Sequence, residues 1–238
     1  MSEERLRILG LAKSFTLHNQ GGLRLPVFER IELAVGSGEC LVLHGPSGIG
    51  KSTLLRAIYG NYLPERGHIL VRHGGTVIDM TAAPPRVILD VRRRSMGFVS
   101  QFLRIIPRVP ALDIVAEPLR RLGRELADAR ASAEAMLARL AIPRRLWGLP
   151  PATFSGGEQQ RVNIARGLIA GHPILLLDEP TAALDAANRQ AVIELIDTAR
   201  RNGAAIIGIF HDREVREAVG TRVFDMTRSE AIRTGAAR

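Results

Sequence analysis

Two glycines with four residues between them, Gly45 and Gly50, are followed at once by Lys51 and Ser52 in the run His-Gly-Pro-Ser-Gly-Ile-Gly-Lys-Ser-Thr at residues 44–53. Chemistry on a phosphate chain needs this order. Gly45, Gly48 and Gly50 let the backbone curl until successive N–H groups face phosphate oxygens, with Pro46, Ser47, Ile49 and Thr53 completing the loop. Lys51 is long enough to reach β and γ phosphates, and the Ser52 hydroxyl is a ligand for Mg²⁺. A second group lies far along the chain, where the apolar run Ile-Leu-Leu-Leu at residues 174–177 ends in Asp178 and Glu179. A carboxylate at the end of a buried strand is suited to hold Mg²⁺ beside such a loop, here through Asp178. The adjacent Glu179 is placed to polarise a water toward a γ-phosphate.

These residues need elements to hold them. Cys40-Leu41-Val42-Leu43 before the loop is long enough for a buried strand, and Leu54-Leu55-Arg56-Ala57-Ile58 after it has the apolar content of a helix. Strand, glycine-rich turn and helix together separate a phosphate loop from an ordinary turn carrying a solvated lysine, because the helix adds its positive dipole end to the same place. The pattern predicts further strands at residues 6–11, 27–35, 69–71, 96–100, 174–177 and 205–210. It predicts helices at residues 113–122, 128–140, 162–170 and 187–201. Residues 72–90, with Gly74-Gly75 and Pro84-Pro85, read mostly as loop. In the second helix Ala133, Met136, Leu137 and Leu140 fall on one face and read as packing. Continuous apolar strands alternating with helices argue a parallel α/β sheet.

Composition narrows the class. The 238 residues are 46% hydrophobic and 24% charged, enough for a sizeable core, and aromatic content of 4% makes that core aliphatic. Net charge is +9, carried almost wholly by arginine, since Lys13 and Lys51 are the only lysines. The basic runs at residues 92–94 and 120–121 are short and lack interleaved aromatics, so no specific nucleic-acid binding is expected. Cys40 has no cysteine partner in the chain and fits a reducing compartment as a core filler. The polar N-terminus lacks the apolar core of a signal peptide, and the longest apolar runs are too short to cross a bilayer. A cytoplasmic protein is expected.

The run Phe154-Ser155-Gly156-Gly157-Glu158-Gln159-Gln160, ahead of the acidic pair, completes a constellation that resembles the ATP-binding-cassette (ABC) ATPases over almost the whole chain. The resemblance implies an α/β P-loop core, a mostly parallel sheet flanked by helices, with an N-terminal antiparallel β part and an inserted helical lobe. It implies one domain over residues 1–238, with residues 1–101 and 155–238 as core and about 102–154 as the lobe. It implies ATP and Mg²⁺ as cofactors and a second cassette chain as partner. Ser155, Gly156, Gly157 and Glu158 then form the signature motif, offering donors to the nucleotide of the second cassette. Glu158 places a carboxylate where a neutral amide is commonest, with weaker affinity or altered turnover as the expected effect. Gln101 corresponds to the glutamine that senses Mg²⁺ and the attacking water, and His211 to the switch histidine on the γ-phosphate. Glu179, His211 and Gln101 are thus the catalytic candidates, and Ser52, Gln101 and Asp178 the metal ligands. Residues 183–185 match the dimer-contacting loop. Phe15 is the candidate to stack on adenine, with a core role as the alternative.

Segments at residues 17–27, 99–109, 116–119 and 154–166 further resemble cassette subunits of the bacterial phosphonate carbon–phosphorus lyase system. That resemblance implies a cassette working with soluble lyase subunits to form ribose 1-methylphosphonate 5-triphosphate from ATP and a phosphonate. The alternative is the motor of a membrane transporter for a lipoprotein, peptide or phosphonate, with a membrane permease as partner. Phe102, Leu103, Arg104, Ile105, Ile106 and Arg108 form the candidate partner surface. No long coiled coil separates Lys51 from Ser155, which disfavours a DNA-repair cassette.

Overall fold

The computed structural model describes residues 3–17, 19, 21–103 and 107–227. Strands β1 (Glu4–Leu17), β2 (Leu23–Gly36), β4 (Arg66–His73) and β5 (Thr76–Asp79) form an antiparallel sheet in the order β2-β1-β4-β5. Strands β3 (Cys40–His44), β6 (Met96–Val99), β7 (Ile174–Asp178), β8 (Ala205–Ile209) and β9 (Arg222–Asp225) form a parallel sheet in the order β6-β7-β8-β3-β9. The helices are α1 (Lys51–Ile58), α2 (Pro85–Arg94), α3 (Ala111–Arg121), α4 (Leu126–Arg139), α5 (Gly156–Leu168), α6 (Ala186–Arg201) and α7 (Arg213–Val219).

The continuous apolar strands have a direct cause. Successive side chains of a strand point to opposite faces, and both faces of the parallel sheet are covered. Cys40, Val42, Leu175, Leu177 and Ile206 pack into a core shared with α3–α7. Their neighbours Leu41, Leu43, Leu176 and Ile207 pack into a second core with α1, β1, β2 and β4. The positions that face these two cores on β3, β7 and β8 are therefore all apolar, and polar alternation is absent until β7 ends at Asp178. Cys40 is fully buried, as expected, and burial pushes its thiol up to about 12.

Helices α3 and α4 occupy the chain between β6 and α5. The stripe expected on α4 is real: Ala133, Leu137 and Leu140 are fully buried, with Met136 against them. Helix α5 then lies against the sheet at an unusually close approach. A Cβ on Gly167 would sit 2.4 Å from Val99 Cγ2, and one on Gly97 would sit 2.6 Å from the Gly167 carbonyl. Glycine on both sides is what lets helix and strand meet there.

The structure corrects several boundaries. Residues 72–90 are not mostly loop. Gly74 and Gly75, both at positive φ (55° and 85°), make the two-residue turn of a β4–β5 hairpin pairing His73 with Thr76, the turn that suits the twist of antiparallel strands. Pro85 opens α2 at its first turn, where the missing N–H costs nothing. Helix α5 starts at Gly156 and not at residue 162, because Ser155 caps it. Helix α7 and strand β9 were not anticipated.

Candidate active site

Strand β3 delivers the phosphate loop and α1 carries its far end away. Gly45, Gly48 and Gly50 adopt φ of 143°, 81° and 103°, which L side chains rarely reach. At Gly50 space is closed as well, since a Cβ would lie 2.5 Å from Val27 Cγ1 on β2. Pro46, Ser47 and Ile49 span the turn, with Ile49 N–H donating to the Pro46 carbonyl at 3.4 Å. Lys51 is buried, and its Nζ donates to the Gly45 and Pro46 carbonyls at 2.7 and 3.0 Å. Burial holds its pKa below the ordinary lysine value, against the pull of Glu179 and Asp178. Thr53 follows in the first turn of α1.

Strand β7 brings the acidic pair to the same place. The Ser52 hydroxyl donates to Asp178 Oδ1 at 2.9 Å, joining the loop to the sheet. Asp178 is fully buried, and its Oδ2 has no hydrogen-bond partner. Burial raises its pKa above the ordinary carboxylate value, with the Ser52 hydrogen bond opposing. A buried carboxylate oxygen left open beside a hydroxyl is costly unless a cation completes it. The donors are all oxygen, the set a hard cation prefers. Among the described residues no cluster of three or more Asp, Glu, His or Cys could hold a metal.

Glu179 is the centre of a second group. Its carboxylate accepts from Gln101 Nε2 at 3.1 Å on Oε2 and meets His211 Nε2 at 2.6 Å on Oε1. Its backbone sits at φ 51°, left-handed for a residue with a Cβ, and its N–H donates to the Ile209 carbonyl at 3.1 Å. Strain of this kind persists only where surrounding contacts hold it. Strands β6, β7 and β8 thus each end at one member of the triple contact. Asp212, next to His211, caps α7 and pairs with Arg189 at 2.8 Å.

Two expected groups stand apart from this cluster. Ser155 caps α5 in a capping box: Ser155 N–H and Oγ both donate to Glu158 Oε2 at 2.8 Å, while Glu158 N–H donates to Ser155 Oγ at 3.3 Å. These donors from Ser155 hold the Glu158 carboxyl below its ordinary value. Gly156 and Gly157 follow in the first turn, and a Cβ on Gly157 would lie 3.0 Å from the Ala183 carbonyl. Phe15 packs edge-to-face on Tyr62 (centroids 5.3 Å, 82°) under Lys13 Nζ at 5.0 Å. Of the surface after Gln101, Phe102 is 77% exposed, Leu103 is buried and Arg108 is exposed. Arg104, Ile105 and Ile106 lie outside the described residues. Sequence reasoning passed over Gln160 and Asn163, two buried amides on α5.

A nucleotide loop on a parallel sheet, an antiparallel sheet at its side and a capped Ser-Gly-Gly helix define an ATP-binding cassette. The family model for the ABC transporter matches residues 28–182, more than half of the chain. The chain belongs to that family and is an ABC-type ATPase. The lipoprotein-releasing system ATP-binding protein LolD of Shewanella sp. (strain MR-7) is 36% identical over 213 residues, 89% of each chain. The macrolide export ATP-binding/permease protein MacB of Marinobacter nauticus is 35% identical over 218 residues, 92% of this chain but 33% of MacB. Among solved structures, the dimeric post-hydrolysis cassette MJ0796 bound to ADP and Pi has a TM-score of 0.83 at 28% identity, over 93% of this chain and 94% of its own.

These relatives overturn the phosphonate expectation. Similarity over 89% and 92% of this chain goes to an ATP-binding protein of lipoprotein release and to an ATP-binding/permease protein of macrolide export, not to a carbon–phosphorus lyase subunit. The phosphonate expectation rested on short segments, two of which run through residues outside the described structure. Identity to LolD extends over 213 residues, well beyond those segments.

Proposed function

We propose that this chain is the ATP-hydrolysing motor of a membrane export system, working as a pair of cassettes on the cytoplasmic face of a permease. Similarity to LolD over 89% of both chains carries the reading. The division of the 238 residues into a core and a lobe at about 102–154 belongs to the same proposal.

The residues take these roles. The loop from Gly45 to Thr53 holds the triphosphate, with Lys51 leaving the loop carbonyls for the β and γ phosphates. Ser52, Asp178 and Gln101 would hold Mg²⁺, which supplies charge neutralisation at the phosphates. Glu179 orients a water in line with the γ-phosphate and accepts its proton as the new P–O bond forms and ADP departs. His211 and Gln101 hold the Glu179 carboxylate from both sides, and positioning of this kind is most of what phosphoryl transfer requires. Phe15 stacks on adenine from β1. Ser155, Gly156, Gly157 and Glu158 serve the nucleotide of a second copy, an arrangement supported by the dimeric structures of the MJ0796 cassette.

Among the described residues no helix is long and apolar enough to cross a membrane. A groove of about 540 Å³ between α2, β6 and the α3–α5 region fits a permease partner. It joins apolar Leu89, Phe98 and Pro118 to five arginines against two carboxylates, and so suits an acidic amphipathic segment.

The test is Glu179→Gln. ATP binding should persist, hydrolysis should fall by roughly 10²- to 10⁴-fold, and ATP should drive a stable dimer in light scattering. Hydrolysis at the wild-type rate would end the assignment of Glu179.

A further inference from the structure

Helix α5 carries two side-chain amides that solvent does not reach: Gln160 is 4% exposed and Asn163 is 5% exposed. They stand three residues apart and so share a face, with fully buried Val162 and nearly buried Ile164 as neighbours along the helix. Packing alone would favour leucine or methionine at such positions. Their hydrogen bonds show what the amides do instead.

Asn163 Nδ2 donates to the Ser100 carbonyl at 2.6 Å, and Gln160 Nε2 donates to the Pro180 carbonyl at 3.2 Å. The two amides also meet, Asn163 Nδ2 to Gln160 Oε1 at 3.5 Å. Ser100 is the residue before Gln101, and Pro180 is the residue after Glu179. Gln101 and Glu179 are themselves joined, Nε2 to Oε2 at 3.1 Å. The contacts therefore close a ring: Gln160, Asn163, Ser100, Gln101, Glu179, Pro180 and back to Gln160. Four of its six members are the two residues that follow β6 and the two that follow β7, and the other two belong to one turn of α5.

The ring supports the one strained peptide in the site. Glu179 at φ 51° would relax toward ordinary backbone if the segment after it were free. Gln160 fixes the carbonyl directly beyond it, while Asn163 fixes the peptide leading into Gln101. The first turn of the same helix holds Ser155, Gly156 and Gly157, within five residues of Gln160.

We propose that Gln160 and Asn163 are positioning residues that couple the N-terminus of α5 to the alignment of Glu179 and Gln101. A shift of α5 when its first turn engages the nucleotide of a second copy is passed through these two hydrogen bonds, of 2.6 and 3.2 Å, to both side chains that face the attacking water. The inference rests on the catalytic reading of Glu179 and Gln101 given above. It adds that ATP hydrolysis depends on amide donors buried in a different element, which touch neither nucleotide nor water.

Asn163→Leu and Gln160→Met keep approximate volume and remove the donors. The full chain is assayed for kcat and KM for ATP, for binding of a fluorescent ATP analogue, and for its unfolding midpoint. The expected result is a kcat lower by roughly 10- to 100-fold with analogue affinity near wild type. In a Gln101→Ala background Asn163→Leu should have little further effect on kcat, because its action passes through Gln101. Wild-type kcat in a folded Asn163→Leu protein overturns the proposal, as does an undiminished loss in the Gln101→Ala background. If Asn163→Leu does not fold, Gln160→Met at the other end of the ring is read by kcat and analogue binding in the same way, in a Glu179→Gln background for the second arm. Glu179→Gln separates the two layers. If it hydrolyses ATP normally, the catalytic reading fails; if it is inactive while the amide variants are normal, the ring alone fails.

Discussion

Asp178 illustrates a conflict between folding and catalysis in a single side chain. It is fully buried, one of its oxygens is satisfied by Ser52 and the other has no hydrogen-bond partner. Burial raises its folded-state pKa above the unfolded value. For a group shifted upward, the stability contribution is present below the unfolded pKa and is lost as pH rises through the folded one. At neutral pH the ionised carboxylate therefore works against the fold. Asp178→Asn keeps an oxygen for the Ser52 hydroxyl and removes the charge. Its nucleotide-free form should unfold at a higher temperature than wild type at neutral pH, with the gap narrowing as pH falls. The same variant should lose the extra stabilisation that Mg²⁺ with ATP gives the wild type. Thermal melts across pH, with and without the ligands, check both halves. A lower midpoint at pH 7 for the nucleotide-free variant would refute the burial argument.

At the scale of elements, α5 is the piece whose start decides most. Glu158 departs from the residue commonest in the family, and the structure gives the carboxylate a local task, accepting both Ser155 donors in the capping box. Losing an N-cap outright costs about 1 kcal/mol; Glu158→Ala removes only the reciprocal half of the box and leaves the Ser155 cap on its N–H, so it should lower stability by less than that. Glu158→Gln can still accept from the Ser155 N–H and should lose less. Urea unfolding of the three proteins orders them, and equal loss in both variants would leave the cap without an energetic role. The sign with pH follows from the lowered Glu158 pKa: the contribution is full above the ordinary carboxylate value and fades as pH falls through the folded one. The Ser-x-x-Glu spacing of this cap is in the sequence, but apolar periodicity marks the helix only from residue 162, so its first two turns are legible from the cap and not from the pattern. The phosphate loop was legible for the opposite reason: strand, glycines, Lys51 and Ser52 are contiguous, so local rules sufficed. Gln160 and Asn163 were not legible. A polar residue on an amphipathic helix reads as solvent-facing, and only tertiary contact shows that these two face inward. The β4–β5 hairpin hides at Gly74-Gly75, because paired glycines and prolines within residues 72–90 signal a break without saying how short the turn is.

At the scale of the whole molecule, the distribution of arginine bears on what the proposed motor would dock against. The net charge of +9 is not spread evenly. Five arginines line the groove between α2, β6 and the α3–α5 region, and Asp90 and Glu117 offset only part of their charge. Arg93 pairs with Asp90, and Arg121 and Arg166 with Glu117. The same groove opens beside Leu89, 61% exposed on α2. An apolar contact ringed by surplus positive charge selects an acidic amphipathic segment and rejects a basic one. The groove reaches β6, whose chain continues through Ser100 into Gln101, so an occupant would act close to the Glu179 contact. A photo-crosslinking amino acid in place of Leu89, in cells from which membranes are then isolated, should give an adduct with a membrane-spanning protein. Arg86→Glu combined with Arg121→Glu should abolish that adduct while leaving the ATP turnover of the isolated cassette within about twofold, since neither arginine touches the site. An adduct that survives both charge reversals would show that the groove does not select its partner by charge. Adducts confined to proteins outside the membrane fraction would remove the export-motor reading itself.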